Sequence, residues 1–274
     1  MTMHVAITGA SSGIGRALAV EYGRAGAKLT LVARRRELLE ELAREIGREV
    51  HIVAQDLSDP DRAAEWLPAA EAANGPVDVL INNAGVMSIG ATVELDARVG
   101  QRMLDICLSA PLRLTRAVLP GMVERHSGTV VQVASMASFA TPPGGTWYGA
   151  AKAGLASFAE SLRHELKGTG VNILTVYPGP VATPLADAGY AAYAPSRIVD
   201  ALPAGNPQEL AVQIRSGVAK GSARIVYPSF YRMGQLFPGF AKWFTRAASP
   251  KLKAHTLTQA HAAAALPAAP GGAR

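Results

Sequence analysis

Tyr148 and Lys152 stand four residues apart in Tyr148-Gly149-Ala150-Ala151-Lys152, a spacing that puts both side chains on one face of a helix. A free phenol titrates near pH 10, too high for ready proton exchange at neutral pH. An ammonium beside it that stabilises phenolate would make the tyrosine a tuned acid/base. Read alone, the pair is equally a surface contact, so its chemistry depends on what surrounds it. A second constellation lies near the start of the chain, where Thr8-Gly9-Ala10-Ser11-Ser12-Gly13-Ile14-Gly15 follows an apolar run at 5–7. Glycines at 9, 13 and 15 let the backbone turn tightly and approach a pyrophosphate, whose charge would meet the open N–H groups of a helix start.

After the second apolar run, where a carboxylate would accept hydrogen bonds from an NAD ribose, the chain reads Val32-Ala33-Arg34-Arg35. Guanidinium groups there favour a 2′-phosphate electrostatically and through charge-assisted hydrogen bonds, which selects NADP(H). The alternative is a solvated charge run.

The elements that must position these residues are short Val-, Ile- and Leu-rich runs at 5–7, 29–32, 50–53, 77–81, 130–133 and 173–176, with a last strand at Arg224–Tyr227. Stretches of helical spacing lie between them, at 14–23, 37–46, 61–73, 99–125, 148–167 and 208–219. Strands apolar on both faces, alternating with helices, predict an α/β fold: a Rossmann-like doubly wound parallel sheet with helices on both faces, in a single domain. Residues 180–207 carry five Pro and two Gly without a clear period. They follow a strand's carboxyl end, where open α/β sheets bind ligands, and are read as a substrate lid on a catalytic domain of residues 1–230. Leu185, Tyr190, Tyr193 and Ile198 in that lid suggest a largely apolar substrate.

Hydrophobic residues make up 49% of the 274-residue chain and charged residues 18%, enough apolar material for a buried core. The formal charge of +6 suits an anionic ligand. The basic residues are scattered, the densest run being Arg34-Arg35-Arg36, so no nucleic-acid partner is expected. A single cysteine, Cys107, excludes an internal disulfide and a cysteine-rich metal cluster and fits a cytoplasmic setting. The chain enters its first strand at once, so no signal peptide is expected, and it holds no stretch of 18 apolar residues. In 231–259, Tyr231, Met233, Leu236, Phe237, Phe240, Trp243 and Phe244 share helical spacing with Arg232, Lys242 and Arg246. They predict a helical extension that docks on the body, meets another copy or touches lipid peripherally. Residues 260–274, nearly all Ala, Pro and Gly, are expected to form a mobile tail.

Thr8 to Gly15, Asn82-Asn83-Ala84-Gly85, Ser135, Tyr148 to Lys152 and Pro178-Gly179 occur together and in order. This pattern resembles the short-chain dehydrogenase/reductase family in its single-domain form, over about residues 3–227, and the arginines after the second strand are similar to its NADP-preferring branch. The resemblance implies that Tyr148 is the general acid/base, that Ser135 hydrogen-bonds the reacting oxygen, and that Lys152 binds the nicotinamide ribose and lowers the tyrosine pKa. It implies cofactor contacts from Gly9, Ser11, Ser12, Gly13, Ile14 and Gly15, from Arg34 and Arg35, from Asp56 at the adenine, and from Leu57. It implies others from Asn83, Ala84 and Gly85, with Asn82 helping to shape the cofactor's floor, and from Pro178, Gly179, Val181 and Thr183, the last at the carboxamide. By the same resemblance the reaction is NADP(H)-dependent hydride transfer between a small-molecule alcohol and its ketone or aldehyde, without a metal, in a homodimer or homotetramer.

The chain departs from the pattern at one place. Where the family has an asparagine that helps hold a water leading to the lysine, a gap-free count reaches Cys107, a weaker donor and acceptor. Either Cys107 is a small packing residue and backbone groups hold the water, or turnover is attenuated and the chain is an NADP(H)-binding sensor or scaffold.

Overall fold

Period-two alternation in the strands sends side chains to two separate interiors. Val5, Ile7, Leu29, Leu31, Val79, Ile81 and Leu174 enter one core, while Ala6, Val32, Leu80, Val130 and Ile173 enter the other. The computed structural model describes residues 2–196, 204–232, 234, 237–249 and 252–253. Its strands are β1 (His4–Thr8), β2 (Lys28–Ala33), β3 (Val50–Ala54), β4 (Val79–Asn82), β5 (Gly128–Val133), β6 (Val171–Pro178) and β7 (Arg224–Tyr227). They form one 7-stranded sheet in the order β3-β2-β1-β4-β5-β6-β7, every pairing parallel. The Rossmann-like, doubly wound single domain expected from the alternation is the fold observed.

Helices α1 (Gly13–Arg24), α2 (Arg36–Ile46) and α8 (Pro207–Ala219) cover the first face through Leu18, Tyr22, Leu39, Leu42, Leu210 and Ile214. Helices α3 (Leu67–Asn74), α5 (Ala110–Glu124) and α6 (Thr146–Glu165) cover the second through Leu67, Leu114, Val118, Met122 and Leu162. Helix α4 (Ala97–Leu104) packs on α6, where Trp147 lies so close to Gly100 that an added Cβ would meet its ring at 2.4 Å. By length and composition the run Ala97–Glu124 could cross a membrane. Leu114, Val118 and Met122 instead pack it on the sheet.

Three expected elements differ. The helix predicted over 99–125 is α4 and α5 joined by a π turn at Asp105–Ser109. The stretch 61–73 begins as a 3-10 turn at Pro60–Arg62, whose cap Asp59 accepts from the Asp61 N–H at 3.2 Å, and reaches α-geometry only at Leu67. The predicted lid is not aperiodic throughout: α7 (Pro184–Tyr190) starts inside it, with Thr183 as N-cap and Pro184 in its first turn, a start signal legible in the residues themselves. A last helix, α9 (Pro238–Ala248), follows β7. Of the lid and C-terminal expectations, Ile198, Met233, Leu236, 260–274 and the side chains of Phe240 and Phe244 lie outside the described residues.

A buried histidine ties the amino edge of the sheet together. His4 is 1% exposed, with Nε2 at 2.9 Å from Thr30 Oγ1 and Nδ1 at 2.7 Å from the Gly75 carbonyl. Burial lowers its pKa below the ordinary value, against the Gly75 carbonyl and the Asp78 and Glu71 charges, which act to raise it. A histidine harder to protonate folded than unfolded contributes stability that is complete above about pH 6.5 and is lost as pH falls through the folded value. The melting temperature is therefore expected to fall between about pH 7 and 5. A His4→Gln variant, less stable at neutral pH, should show a shallower fall in the same calorimetric series; parallel slopes would exclude His4 as the source.

Candidate active site

The strand order reverses direction between β1 and β4, and at the carboxyl ends of the strands a cavity of about 420 Å³ opens there, the place where open α/β sheets take ligands. One end is built by the loop between β1 and α1. Gly9 has φ +67 and Gly13 φ +56, backbone states that cost other residues energy. A Cβ on Gly9 would come within 2.7 Å of Ala84 Cα. The loop is clipped to the end of β4: Thr8 Oγ1 accepts from the Asn83 and Ala84 N–H groups at 3.0 and 3.1 Å, and Asn83 Nδ2 donates to the Thr8 carbonyl at 3.0 Å. Ser12, the N-cap of α1, is extended and makes no side-chain cap hydrogen bond. The residues therefore fit a dinucleotide: a Cβ-free cradle lies against a helix start whose first N–H groups no cap side chain covers.

Arg34 and Arg35 stand exposed at the lip, where β2 ends. Arg35 Nη2 donates to Ser11 Oγ at 3.2 Å, so this guanidinium lies over the glycine loop. Asp56, past β3, accepts from the Ser58 N–H at 2.9 Å and pairs with Arg102 at 2.8 Å. Burial acts to raise its pKa, but the Ser58 N–H, Arg102 and Arg34 outweigh it and hold the carboxylate below its ordinary range. Asp56 thus shapes a turn on the cavity wall.

At the other end, Ser135 follows β5 and Tyr148 and Lys152 lie in the first turns of α6. Ser135 hydrogen-bonds Tyr148 while its Oγ accepts from the Ala137 N–H at 3.1 Å, capping the 3-10 turn Met136–Ser138. Close packing sets α6 against this segment, since a Cβ on Gly149 would meet Thr141 Oγ1 at 2.1 Å. Lys152 is 3% exposed; its Nζ donates to the Val133 carbonyl at 2.7 Å and lies 5.9 Å from the centre of the Tyr148 ring. The phenol stands above its ordinary value here, and the lysine below its own. Burial pushes Tyr148 up, with Cys107 adding to it and the Ser135 hydrogen bond opposing it, and burial pushes Lys152 down.

The π turn carries Cys107 into this end. The thiol is buried, donates to the Val86 carbonyl at 3.3 Å and accepts from the Val86 N–H at 3.4 Å. A Cβ on Gly85 would sit 3.6 Å from its Sγ and 3.8 Å from Lys152 Nζ, so thiol and ammonium flank Gly85. Cys107 is thus a clamp on the Val86 backbone beside Lys152.

The cavity gathers the residues picked from the sequence, including Ile14, Leu57, Ala84, Pro178, Gly179, Val181 and Thr183, with two exceptions. Gly15 is buried beneath the loop, where a Cβ would meet the Gly9 carbonyl oxygen at 2.3 Å; it allows helix and loop to touch. Asn82 does not floor the cavity either: it is 1% exposed, and its Nδ2 donates to Pro111 O, Thr115 Oγ1 and Gln132 Oε1, tying β4 to α5 and β5. Thr183 lines the wall, but its Oγ1 is engaged as the α7 cap and with Val181 O. Sequence reasoning missed Met87 and Ile89 after β4, and Thr245 and Ser249 from the C-terminal segment. The four-residue spacing of the last two was the only signal, and nothing in it says which wall they join.

Residues 3–193 match the family model for short chain dehydrogenases. A short chain dehydrogenase of Pseudocercospora fijiensis is 40% identical over 184 residues, 65% of this chain and 60% of that protein, so the chain spans about 60% of that relative's length. Among solved structures, a short-chain dehydrogenase from Sphingobium yanoikuyae in complex with NADPH superposes with a TM-score of 0.74 at 29% identity, covering 93% of this chain and 98% of the other. A 3-ketoacyl-(acyl-carrier-protein) reductase from Brucella melitensis complexed with NADH superposes with a TM-score of 0.75 at 25% identity, covering 82% and 96%. On the family match, the parallel sheet and the shared architecture, the chain belongs to the short-chain dehydrogenase family of oxidoreductases.

Proposed function

We propose that the protein is an NADP(H)-dependent oxidoreductase that interconverts an alcohol and its ketone or aldehyde on a largely apolar substrate. The observation that carries this reading is the meeting of Ser135, Tyr148 and Lys152 at one end of a cavity whose other end is the glycine loop and Arg34-Arg35. Bound NADPH would supply the hydride. In the reducing direction the Ser135 and Tyr148 hydroxyls hold the carbonyl oxygen, polarising the C=O bond, and the Tyr148 O–H gives that oxygen its proton as the carbon is reduced. Burial keeps the phenol protonated before the step, as the donor role requires. The buried Lys152 ammonium stabilises the phenolate left behind, which regains a proton from solvent. Leu185, Tyr190 and Tyr193 on the lid and Met87 and Ile89 after β4 support an apolar substrate.

NADPH oxidation and NADP+ reduction with a panel of carbonyls and alcohols tests the reaction. No turnover with any member would favour the sensor reading. Preference for the phosphorylated cofactor is assigned to Arg34 and Arg35. A hydrogen bond to a charged group contributes about 1.5–3 kcal/mol, so an Arg34→Ala/Arg35→Ala variant should bind NADPH about 10–100-fold more weakly and NADH nearly as before. A parent protein that binds NADH as tightly as NADPH in titration calorimetry would end the NADP assignment. As the family resemblance implies, a homodimer or homotetramer is the assembly proposed.

A further inference from the structure

Every Asp and Glu in the chain lies at or before Glu209. Residues 210–274 hold nine Lys and Arg and no acid, whereas the first 209 residues hold eighteen cations against twenty-one acids. The chain's positive charge is therefore a property of its C-terminal part alone. Arg215 and Arg224 are paired with Glu21 and Glu160; Arg232, Lys242 and Arg246 are exposed, and Lys253, also exposed, donates its Nζ to the Ala191 carbonyl at 2.9 Å.

Large apolar side chains stand among these cations. Phe230, Phe237 and Trp243 are 63%, 56% and 59% exposed, an unusual cost for three aromatic residues within fourteen positions. Aromatic rings mixed with Lys and Arg are the composition of protein surfaces that lie at a lipid interface, where rings enter the headgroup region and cations meet anionic heads. The same stretch reaches the cavity. Thr245 and Ser249 line it, Leu252 bridges Tyr193 of the lid, and the Lys253 N–H donates to the Ala192 carbonyl at 3.0 Å. On the lid, Leu185 and Tyr190 both line the cavity and face outward.

We propose that Phe230, Phe237 and Trp243, with Arg232, Lys242 and Arg246, dock the cavity mouth on an anionic lipid surface, and that the substrate is a lipophilic carbonyl or alcohol entering from that side. The substrate clause rests on the oxidoreductase reading above; the docking clause does not. Each cation beside an anionic surface changes partitioning about fivefold. The full chain should co-sediment with vesicles of phosphatidylglycerol and phosphatidylcholine and stay in the supernatant with phosphatidylcholine alone. Lys242→Glu/Arg246→Glu should weaken anionic-vesicle binding at least about 25-fold, and Phe237→Ser/Trp243→Ser should weaken it further at high salt. All variants should keep the parent's NADPH affinity, a check that they fold. The proposal fails if the full chain does not bind anionic vesicles or if the variants bind as well as the parent. It fails equally if the substitutions change only the sedimentation velocity, which would make the surface a contact between copies. Vesicle binding without NADPH oxidation supports docking and removes the reaction; NADPH oxidation without vesicle binding does the opposite.

Discussion

Tyr148→Phe is expected to lower turnover about 10²–10⁴-fold, the range for losing a positioned proton donor, with NADPH affinity nearly unchanged. The substitution removes one hydroxyl and leaves a ring that fills the same buried space, so the cradle, about a cavity's length away, has no reason to move. Lost with the hydroxyl are the Ser135 hydrogen bond and the proton for the reacting oxygen. Single-turnover measurement with saturating NADPH separates this from a binding defect. Near-parental hydride transfer would exclude Tyr148 from the chemistry.

The second large effect is expected far from any reacting atom. In Gly15→Ala the new Cβ would meet the Gly9 carbonyl oxygen at 2.3 Å, Asn83 Nδ2 at 2.5 Å and the Gly9 carbonyl carbon at 2.8 Å. Two of those three atoms are backbone, so the loop itself must lift from α1. Overpacking of this kind costs about 1–3 kcal/mol of stability. Cofactor affinity should fall more, by at least about 100-fold, because the N–H groups that would hold the pyrophosphate belong to the displaced loop. Gly47→Ala is the matched control: φ there is +69 but nothing lies within 4 Å, so it should cost about 1–2 kcal/mol in strain and leave cofactor binding intact. Equal NADPH affinity in the two variants would contradict the assignment of the cradle.

The readable parts of the molecule were those in which a few neighbouring residues decide their own geometry. The glycine loop announces itself because Gly9 and Gly13 must adopt conformations that other residues avoid, and the strands because both faces of each are apolar. Tyr148 and Lys152 were legible only jointly with Ser135 and the loop. What was hidden depends on partners distant in sequence. Asn82 reads as part of a site motif, yet its contacts are with Pro111, Thr115 and Gln132 beneath the cavity. Lys152 was expected to lower the phenol because sequence shows the charge and not the burial, which is the larger influence on both groups. Thr245 and Ser249 could not be placed on the wall before the path of the chain after β7 was known.

The π turn at Asp105–Ser109 makes this helix intolerant of a change in length. A π turn holds one residue more than an α turn, and each residue advances an α-helix by 1.5 Å and about 100°. Gly100 is seated under Trp147 on one side of the turn, and Leu114, Val118 and Met122 are seated on the sheet on the other. Both seatings hold only while the surplus residue takes up the phase difference between them. Deleting one residue from the turn would restore a regular helix and swing one of these contacts away from its partner, and the thiol that grips Val86 would turn with it.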